Sequence, residues 1–253
     1  MPGVRVGQFL VALFWLMLPV VSAQERGRAP KVLVKDLGQR AMPFKYLSCP
    51  AMCGQDTHSI AGVFANTTAL SKAASKNGVD NSRQDLSGMT FDRTAPDSGL
   101  TGTRIGVEYG LQDRGEWRYN AKTGLYQRWI ESAAGSSEGH IPMQPLVDRL
   151  TGKQLAFANV ILLFTVYKEY APTLFDTMII ENTHSQRAVY FRDGMMVDGY
   201  WRTAYDDRPI QFLDANKNLM PLKPGNSWIV LTGNSSTLTQ PSTGDWELRF
   251  VIP

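Results

Sequence analysis

No part of this sequence restricts the architecture more than residues 186–230, QRAVYFRDGMMVDGYWRTAYDDRPIQFLDANKNLMPLKPGNSWIV. Within each run, Val189 and Phe191, Met196 and Tyr200, Ile210 and Phe212, and Trp228 and Val230 are apolar or aromatic residues two or four apart. That is the period of a half-buried antiparallel ladder and not of a helix. Turn chemistry divides the stretch into four short strands. Asp193-Gly194 is the dipeptide that a tight type I′ hairpin favours, because both central residues take positive φ. Residues 214–218, DANKN, bring side chains that bond their own backbone, and Pro224-Gly225-Asn226 marks the entry to the last strand.

The rest of the chain extends this pattern. Residues 31–35, KVLVK, alternate as a strand does. Residues 66–78, NTTALSKAASKNG, are the clearest helix. Asn66 can accept from the first free amides, Gly78 suits the left-handed cap, and Leu70, Ala73, Ala74 and Val79 would form the inner face. Between residues 81 and 103 the chain turns polar and rich in Pro, Gly and Ser, which places a boundary between an N-terminal α/β lobe, residues 24–100, and a C-terminal β lobe, residues 101–253. In the second lobe residues 104–109 alternate. Residues 116–119 and 125–129 flank Asn120-Ala121-Lys122-Thr123-Gly124 as a hairpin with a five-residue loop, its aromatic side chains opposite one another. Residues 132–139 read as a small-residue loop, and residues 141–145, with two prolines, as irregular chain. Residues 159–167, NVILLFTVY, lack alternation, as a strand covered on both faces does. Residues 176–181 and 246–252 complete the sheet. The fold class expected is α+β, predominantly antiparallel β, with one clear helix in the N-terminal lobe and a central buried strand in the C-terminal one.

Residues 1–23 read as a secretory signal peptide, with Arg5 as the charged start, residues 9–21 as the apolar run and Val21-Ser22-Ala23 as a small-residue cleavage site. The apolar run has 13 residues, short of the roughly 20 that a helix needs to span a bilayer core. Export without a transmembrane span is therefore expected, to a secreted or periplasmic location. Loss of Arg5 with the leader leaves 25 basic and 23 acidic side chains, a net charge of +2. No run of basic residues forms a stripe, so nothing points to nucleic acid. The hydrophobic content of 43% is enough for an ordinary core. Cys49 and Cys53 are the two cysteines, and in an exported chain an even count suggests a disulfide, here one closing a very small ring. A zinc site with His58 is the alternative, but it lacks the fourth ligand that structural zinc usually takes. No metal or cofactor is expected.

Several ordered segments carry a family resemblance: Phe191-Arg192-Asp193-Gly194, Gly199-Tyr200-Trp201, Phe212-Leu213-Asp214-Ala215 and residues 221–228, PLKPGNSW, with weaker echoes at Trp117-Arg118-Tyr119, Tyr126-Gln127-Arg128 and Asn159-Val160-Ile161. The series resembles the C-terminal part of the YerB-like family of bacterial envelope lipoproteins, a domain of unknown function, over roughly residues 60–231. The resemblance implies a central strand at residues 159–167 and an envelope location. It also implies lipid attachment, which no cysteine near the cleavage point would accept. The glycine- and arginine-containing half that it implies ahead of residue 40 is not found, so an N-terminally shortened member is expected. It implies no activity.

The candidate chemistry divides into hydrolysis and binding. Of the histidines His58, His140 and His184, none lies in a G-x-S-x-G nucleophile pattern. His140 follows a Gly/Ser-rich loop and precedes Asp148-Arg149. The resemblance implies a His and an Asp between the aromatic hairpin and the central strand, here separated by residues 141–147. A hydrolase would use His140 with Asp148 or Asp193; otherwise His140 is a surface loop residue. A two-carboxylate glycosidase needs its acids about 5–9.5 Å apart across the scissile bond. Asp206 and Asp207 are neighbours expected to diverge, and of Asp193 and Asp198, which flank one hairpin, the former is more simply its turn residue. Trp117, Trp129, Trp201, Trp228 and Trp246, with Tyr119, Tyr126 and Tyr200, either fill the core or form a face, and Arg118, Arg128, Arg192 and Arg202 alternate with them. Arg118, Tyr126, Arg128, Arg192 and Trp201 are the ligand-binding candidates. The function expected is a non-enzymatic module that binds an envelope protein or wall polymer, with the hydrolase as the alternative.

Overall fold

The computed structural model describes residues 49–54, 63–79, 89–110, 113–132, 142–171, 174–179, 184–203 and 210–252. Residues 1–23, expected to be a leader, the expected strand at residues 31–35, His58, His140, Asp206 and Asp207 lie outside the described residues. The chain divides into two compact units, Met1–Gln84 and Asp85–Pro253.

In the first unit, β1 (Met52–Gly54) pairs antiparallel with β2 (Val63–Ala65), and α1 (Thr67–Lys76) follows. The Asn66 side chain accepts from the Ala69 amide at 3.0 Å and so satisfies one of the donors that the first helical turn leaves unpaired. At the other end Gly78 takes φ 66°. Its amide donates to the Ser75 carbonyl and that of Val79 to Ala74, the pair of bonds that closes a helix on a left-handed glycine. Leu70, Ala73, Ala74 and Val79 are half-buried, and no helical residue is fully covered. Cys49 is disulfide-bonded, and the second cysteine of the chain, Cys53, lies in β1.

Among the described residues the second unit is one curled sheet with a separate two-stranded ribbon. Its path runs β14 (Ser227–Gly233), β8 (Asn159–Thr165), β11 (Gln186–Arg192), β12 (Met195–Arg202), β3 (Leu100–Gly110), β4 (Asp113–Asn120), β5 (Leu125–Glu131) and β6 (Met143–Pro145). Three strands change partner partway and let the sheet bend. Along one edge β12 pairs with β3 at Met195 and Met196 and with β13 (Gln211–Asp214) further on. After its two residues against β12, β3 pairs in parallel with β16 (Gly244–Arg249), which carries β15 (Thr237–Ser242). The far edge of β5 is shared by β6 and β7 (Ala156–Phe157). The separate ribbon joins β9 (Tyr167–Ala171) to β10 (Leu174–Thr177).

Curling gives two cores. Val160, Leu162, Phe164, Val189, Phe191, Met196 and Val230 from one half of the sheet meet Ile105, Val107, Trp117, Tyr126, Trp246 and Leu248 from the other. On the opposite face of β8, β11 and β12, Ile161, Leu163, Ala188, Tyr190 and Trp201 pack with Phe212, Met220 and Leu222. Every residue of β8 is therefore buried, which is why residues 159–165 show no alternation. The fold class is α+β with a dominant, mostly antiparallel sheet, as the sequence implies.

Several local expectations are corrected. The run from Ala188 to Arg192 in β11 is buried on both faces, not half-buried, because the second core covers its far side. The last strand of the 186–230 stretch does not continue that ladder: β14 pairs in parallel with β8. The prolines at 142 and 145 do not prevent a strand, since β6 lies at the sheet edge, where a missing amide costs no ladder bond. The segment near residue 176 joins the β9–β10 ribbon and not the main sheet. The hairpin register pairs Asn120 with Leu125, so its loop has four residues, with Tyr119 and Tyr126 opposite at 5.1 Å between ring centroids. Among the described residues no helix is long and apolar enough to cross a membrane.

Candidate functional site

The Asp193-Gly194 turn joins β11 to β12 with φ 54° and 76°, the left-handed pair that a two-residue hairpin needs. Arg192, just before it, has a side chain only 2% exposed. Its guanidinium donates to Asp193 Oδ2 at 3.0 Å, to the Pro221 carbonyl at 2.7 Å and to the carbonyls of Asp92 and Thr94 at 2.9 and 2.6 Å. These four bonds use all but one of its N–H groups. Asp193 Oδ1 accepts from Lys223 Nζ at 2.6 Å, and that ammonium also donates to the Gly124 carbonyl at 2.9 Å. Asn159 completes the cluster: its Oδ1 accepts from the Lys223 amide, and its Nδ2 donates to the Lys223 carbonyl and to Ser227 Oγ. The segments FRDG and PLKPGNSW thus meet as a fastener between strands. Their charges and donors are spent on the protein itself.

Three further candidates are interior groups. Tyr126 is fully buried, and its hydroxyl donates to the Gly102 carbonyl at 2.7 Å; burial pushes the phenol far above its ordinary pKa. Trp201 is likewise buried, with Nε1 donating to the Phe164 carbonyl at 2.8 Å. Arg128 lies between the rings of Trp117 and Trp228, 4.0 and 5.2 Å from their centroids, and donates to the Trp129 carbonyl at 2.7 Å. Burial lowers its pKa to about 10, which leaves it cationic at neutral pH.

Arg118 is the candidate that reaches solvent, its side chain 41% exposed. It stacks on Trp129 at 4.3 Å and donates through Nε and NH2 to Glu116 Oε2. The ladder register places Arg104, Glu116, Arg118 and Glu247 on this same face. Arg104 reaches Glu116 at 2.5 Å and Glu247 at 2.6 Å, and Arg114 reaches Glu247 at 3.0 Å. Burial raises the Glu116 carboxyl, but the guanidinium groups of Arg104 and Arg118 outweigh it and hold the acid below its ordinary range. These arginines are therefore largely neutralised within the sheet.

Of the hydrolase candidates, His140 lies outside the described residues, and Asp148 and Asp193 are placed. Asp148 is half-buried and accepts from the amides of Leu150 and Thr151 at 2.7 and 3.0 Å. The amides of Thr151 and Leu150 hold its carboxyl below the usual range, the wrong direction for a proton donor. Asp193 sits between Arg192 and Lys223. His184 is exposed. Among the described residues there is no group of three or more His, Cys, Asp and Glu placed to hold a metal.

A different set of residues lines a cleft of about 360 Å³: Arg187, Asp198, Gly199, Tyr200 and Ala215. Its floor is pinned from behind. The Tyr190 hydroxyl donates to the Tyr200 carbonyl and accepts from the Leu213 amide at 3.2 Å. Position 199 has to be glycine, because a Cβ there would lie 2.2 Å from the Leu213 carbonyl oxygen and 2.9 Å from the Tyr190 ring. Pairing of Arg187 with Tyr200 across β11 and β12 puts both side chains on one face, with the guanidinium 3.2 Å from Asp198 Oδ1 and 4.6 Å from the centroid of the Phe164 ring. The 214–218 loop supplies the roof. Asp214 Oδ1 accepts from the amides of Asn216 and Asn218, and Lys217 is held at φ 70° with its ammonium 2.9 Å from the centroid of the Tyr200 ring. Arg202, two residues along the same face of β12, donates to Gln211. The segments GYW and FLDA therefore pair as neighbouring strands and build a cleft with two cations, Arg187 and Lys217, and one carboxylate, Asp198, at a phenol ring. Arg187 and Lys217 carried no sequence signal beyond their charge; the positive φ at residue 217 is visible only in the folded chain.

Fold and site together define a β-rich domain with a central fastener and a lateral polar cleft. Residues 105–229 match the family described as protein of unknown function (DUF3048), C-terminal domain, a match that supports a YerB-like domain of unknown function in this region. The crystal structure of YerB protein from Bacillus subtilis is similar, with a TM-score of 0.54 at 18% identity over 76% of this chain. The similarity covers 59% of that chain, so this protein spans less than two thirds of its length. At that identity the likeness speaks for the fold. No curated protein matches the sequence.

Proposed function

We propose that the protein is an exported, envelope-associated module that binds a protein or a cell-envelope polymer and does not transform it. The observation that carries this reading is the Tyr200 cleft, where Arg187 and Lys217 stand at a rigidly supported ring. A volume of about 360 Å³ lies at the small end of the range for ligand sites, enough for one unit of a longer chain. The leader-like residues 1–23 supply the exported location, and the absence of a cysteine at the expected cleavage point favours release over lipid attachment. The hydrolase reading has less support, since the carboxylates of Asp148 and Asp193 are committed to backbone amides and to cations. Co-sedimentation with wall polymer and pull-down from envelope extract test the proposal. Retention by at least one, weakened in Tyr200→Ala, is expected. No retention by either overturns it.

A further inference from the structure

The Tyr200 cleft has a charge pattern that selects among ligands, and the following rests on the binding-module reading. Arg187 lines it, Lys217 stands at its Tyr200 ring, and Asp198 is the carboxylate in its lining. The Asp214 carboxylate is turned into its own loop, where it accepts from the Asn216 and Asn218 amides and from Asn218 Nδ2. We infer that the cleft binds an oxyanion, a carboxylate or phosphate group borne by an envelope polymer. Arg187 grips it through its planar fork, Lys217 adds a point charge, and Tyr200 forms the wall.

Two features beyond charge support this assignment. Lys217 takes a left-handed backbone conformation, uncommon for a residue with a side chain and maintained here by the Asp214 bonds. From that position its ammonium reaches the Tyr200 ring, 2.9 Å from the centroid. Arg187 stacks on the Phe164 ring at 4.6 Å, which holds its plane but takes none of its N–H donors, and its one ion pair, with Asp198, is a single bond of 3.2 Å between side chains 46% and 56% exposed, a weak, solvent-screened pair. An incoming oxyanion can replace Asp198 on the guanidinium without exposing a buried charge. This differs from Arg192, whose bonds are buried and nearly saturated, and from Arg104 and Arg118, which glutamates hold at 2.5–2.9 Å.

The test is calorimetric titration of the full chain with three probes: a trigalacturonate for carboxylate, tripolyphosphate for phosphate and maltotriose as the neutral control. One anionic probe is expected to bind, with affinity falling as salt is raised, and maltotriose is not. Which anion binds identifies the source of the charge. Arg187→Ala and Lys217→Gly should each weaken binding at least tenfold; glycine at 217 keeps the positive φ and so preserves the loop. Asp198→Asn, which removes the internal competitor for Arg187, should bind at least as tightly as the native chain. The assignment is overturned if neither anion binds, if maltotriose binds equally well, or if Arg187→Ala leaves the affinity unchanged. Retention on envelope extract without binding of either anion would sink the oxyanion assignment alone, as would retention by the extract's protein fraction only. Failure of every arm together with the pull-down would sink the binding module itself.

Discussion

Replacing Arg192 with methionine tests the fastener at the centre of the sheet. The native side chain is 2% exposed and makes four hydrogen bonds, one to a carboxylate and three to carbonyls. Methionine retains much of the packing volume but leaves the carbonyls of Pro221, Asp92 and Thr94 without that donor. Asp193 keeps Lys223 at 2.6 Å, so its charge is not stranded. Each lost charge-assisted bond is worth about 1.5–3 kcal/mol at most, and the carbonyls recover part of it by relaxing toward water. Leaving a buried acceptor unsatisfied costs about 1–3 kcal/mol, so three carbonyls that partly relax imply a loss of about 3–5 kcal/mol. For a unit of this size it lowers the melting temperature by roughly 6–20 °C. Urea unfolding followed by tryptophan fluorescence reads it directly, since Trp117, Trp129, Trp201, Trp228 and Trp246 all lie in the second unit. A loss below about 1 kcal/mol, the scale of an ordinary surface substitution, would refute the claim that Arg192 fastens the sheet.

Three further outcomes are expected. A methyl group at Gly115 would fall 2.0 Å from Arg128 NH1, so Gly115→Ala should displace the guanidinium from Trp117 and cost about 1–3 kcal/mol, measured as a lower urea midpoint. Asn66→Ala removes the cap on the first turn of α1 and should reduce helix content with a loss of about 1 kcal/mol, seen by circular dichroism. Glu116 is held below its ordinary value of 4.5 in the folded chain. The folded state thus binds this proton less readily than the unfolded chain, and the resulting stability is complete above pH 4.5 and lost as pH falls through the lower folded value. Glu116→Gln should flatten the acid limb of the stability profile below pH 4.5, and a limb unchanged in slope would contradict the Arg104–Glu116–Arg118 arrangement.

Much of this fold was legible where the information is local. Asp193-Gly194 specified its own hairpin, Asn66 and Gly78 bounded the helix, and the unbroken apolar run from Asn159 announced a strand covered on both sides. What escaped the sequence depends on contacts distant along the chain. The parallel pairings of β14 with β8 and of β16 with β3 join segments whose alternation looks the same in either direction. The prolines of β6 are tolerated because the strand lies at an edge, a property of the assembled sheet. The site was only half legible for the same reason. Arginine and aromatic side chains on neighbouring strands were evident, but which of them face outward depends on the second core. That core buries Trp201, and the saturated bonds of the fastener bury Arg192. Tyr200 and Arg187 lie on the side that stays open.

Hydrogen–deuterium exchange of the full chain, with and without envelope extract, tests the binding account most directly. The account predicts slowed exchange concentrated in residues 198–202 of β12 and 214–218 of the adjoining loop, with the outer face of β4 unchanged. Protection confined to the Arg118–Trp129 face, or no protection anywhere, would contradict it.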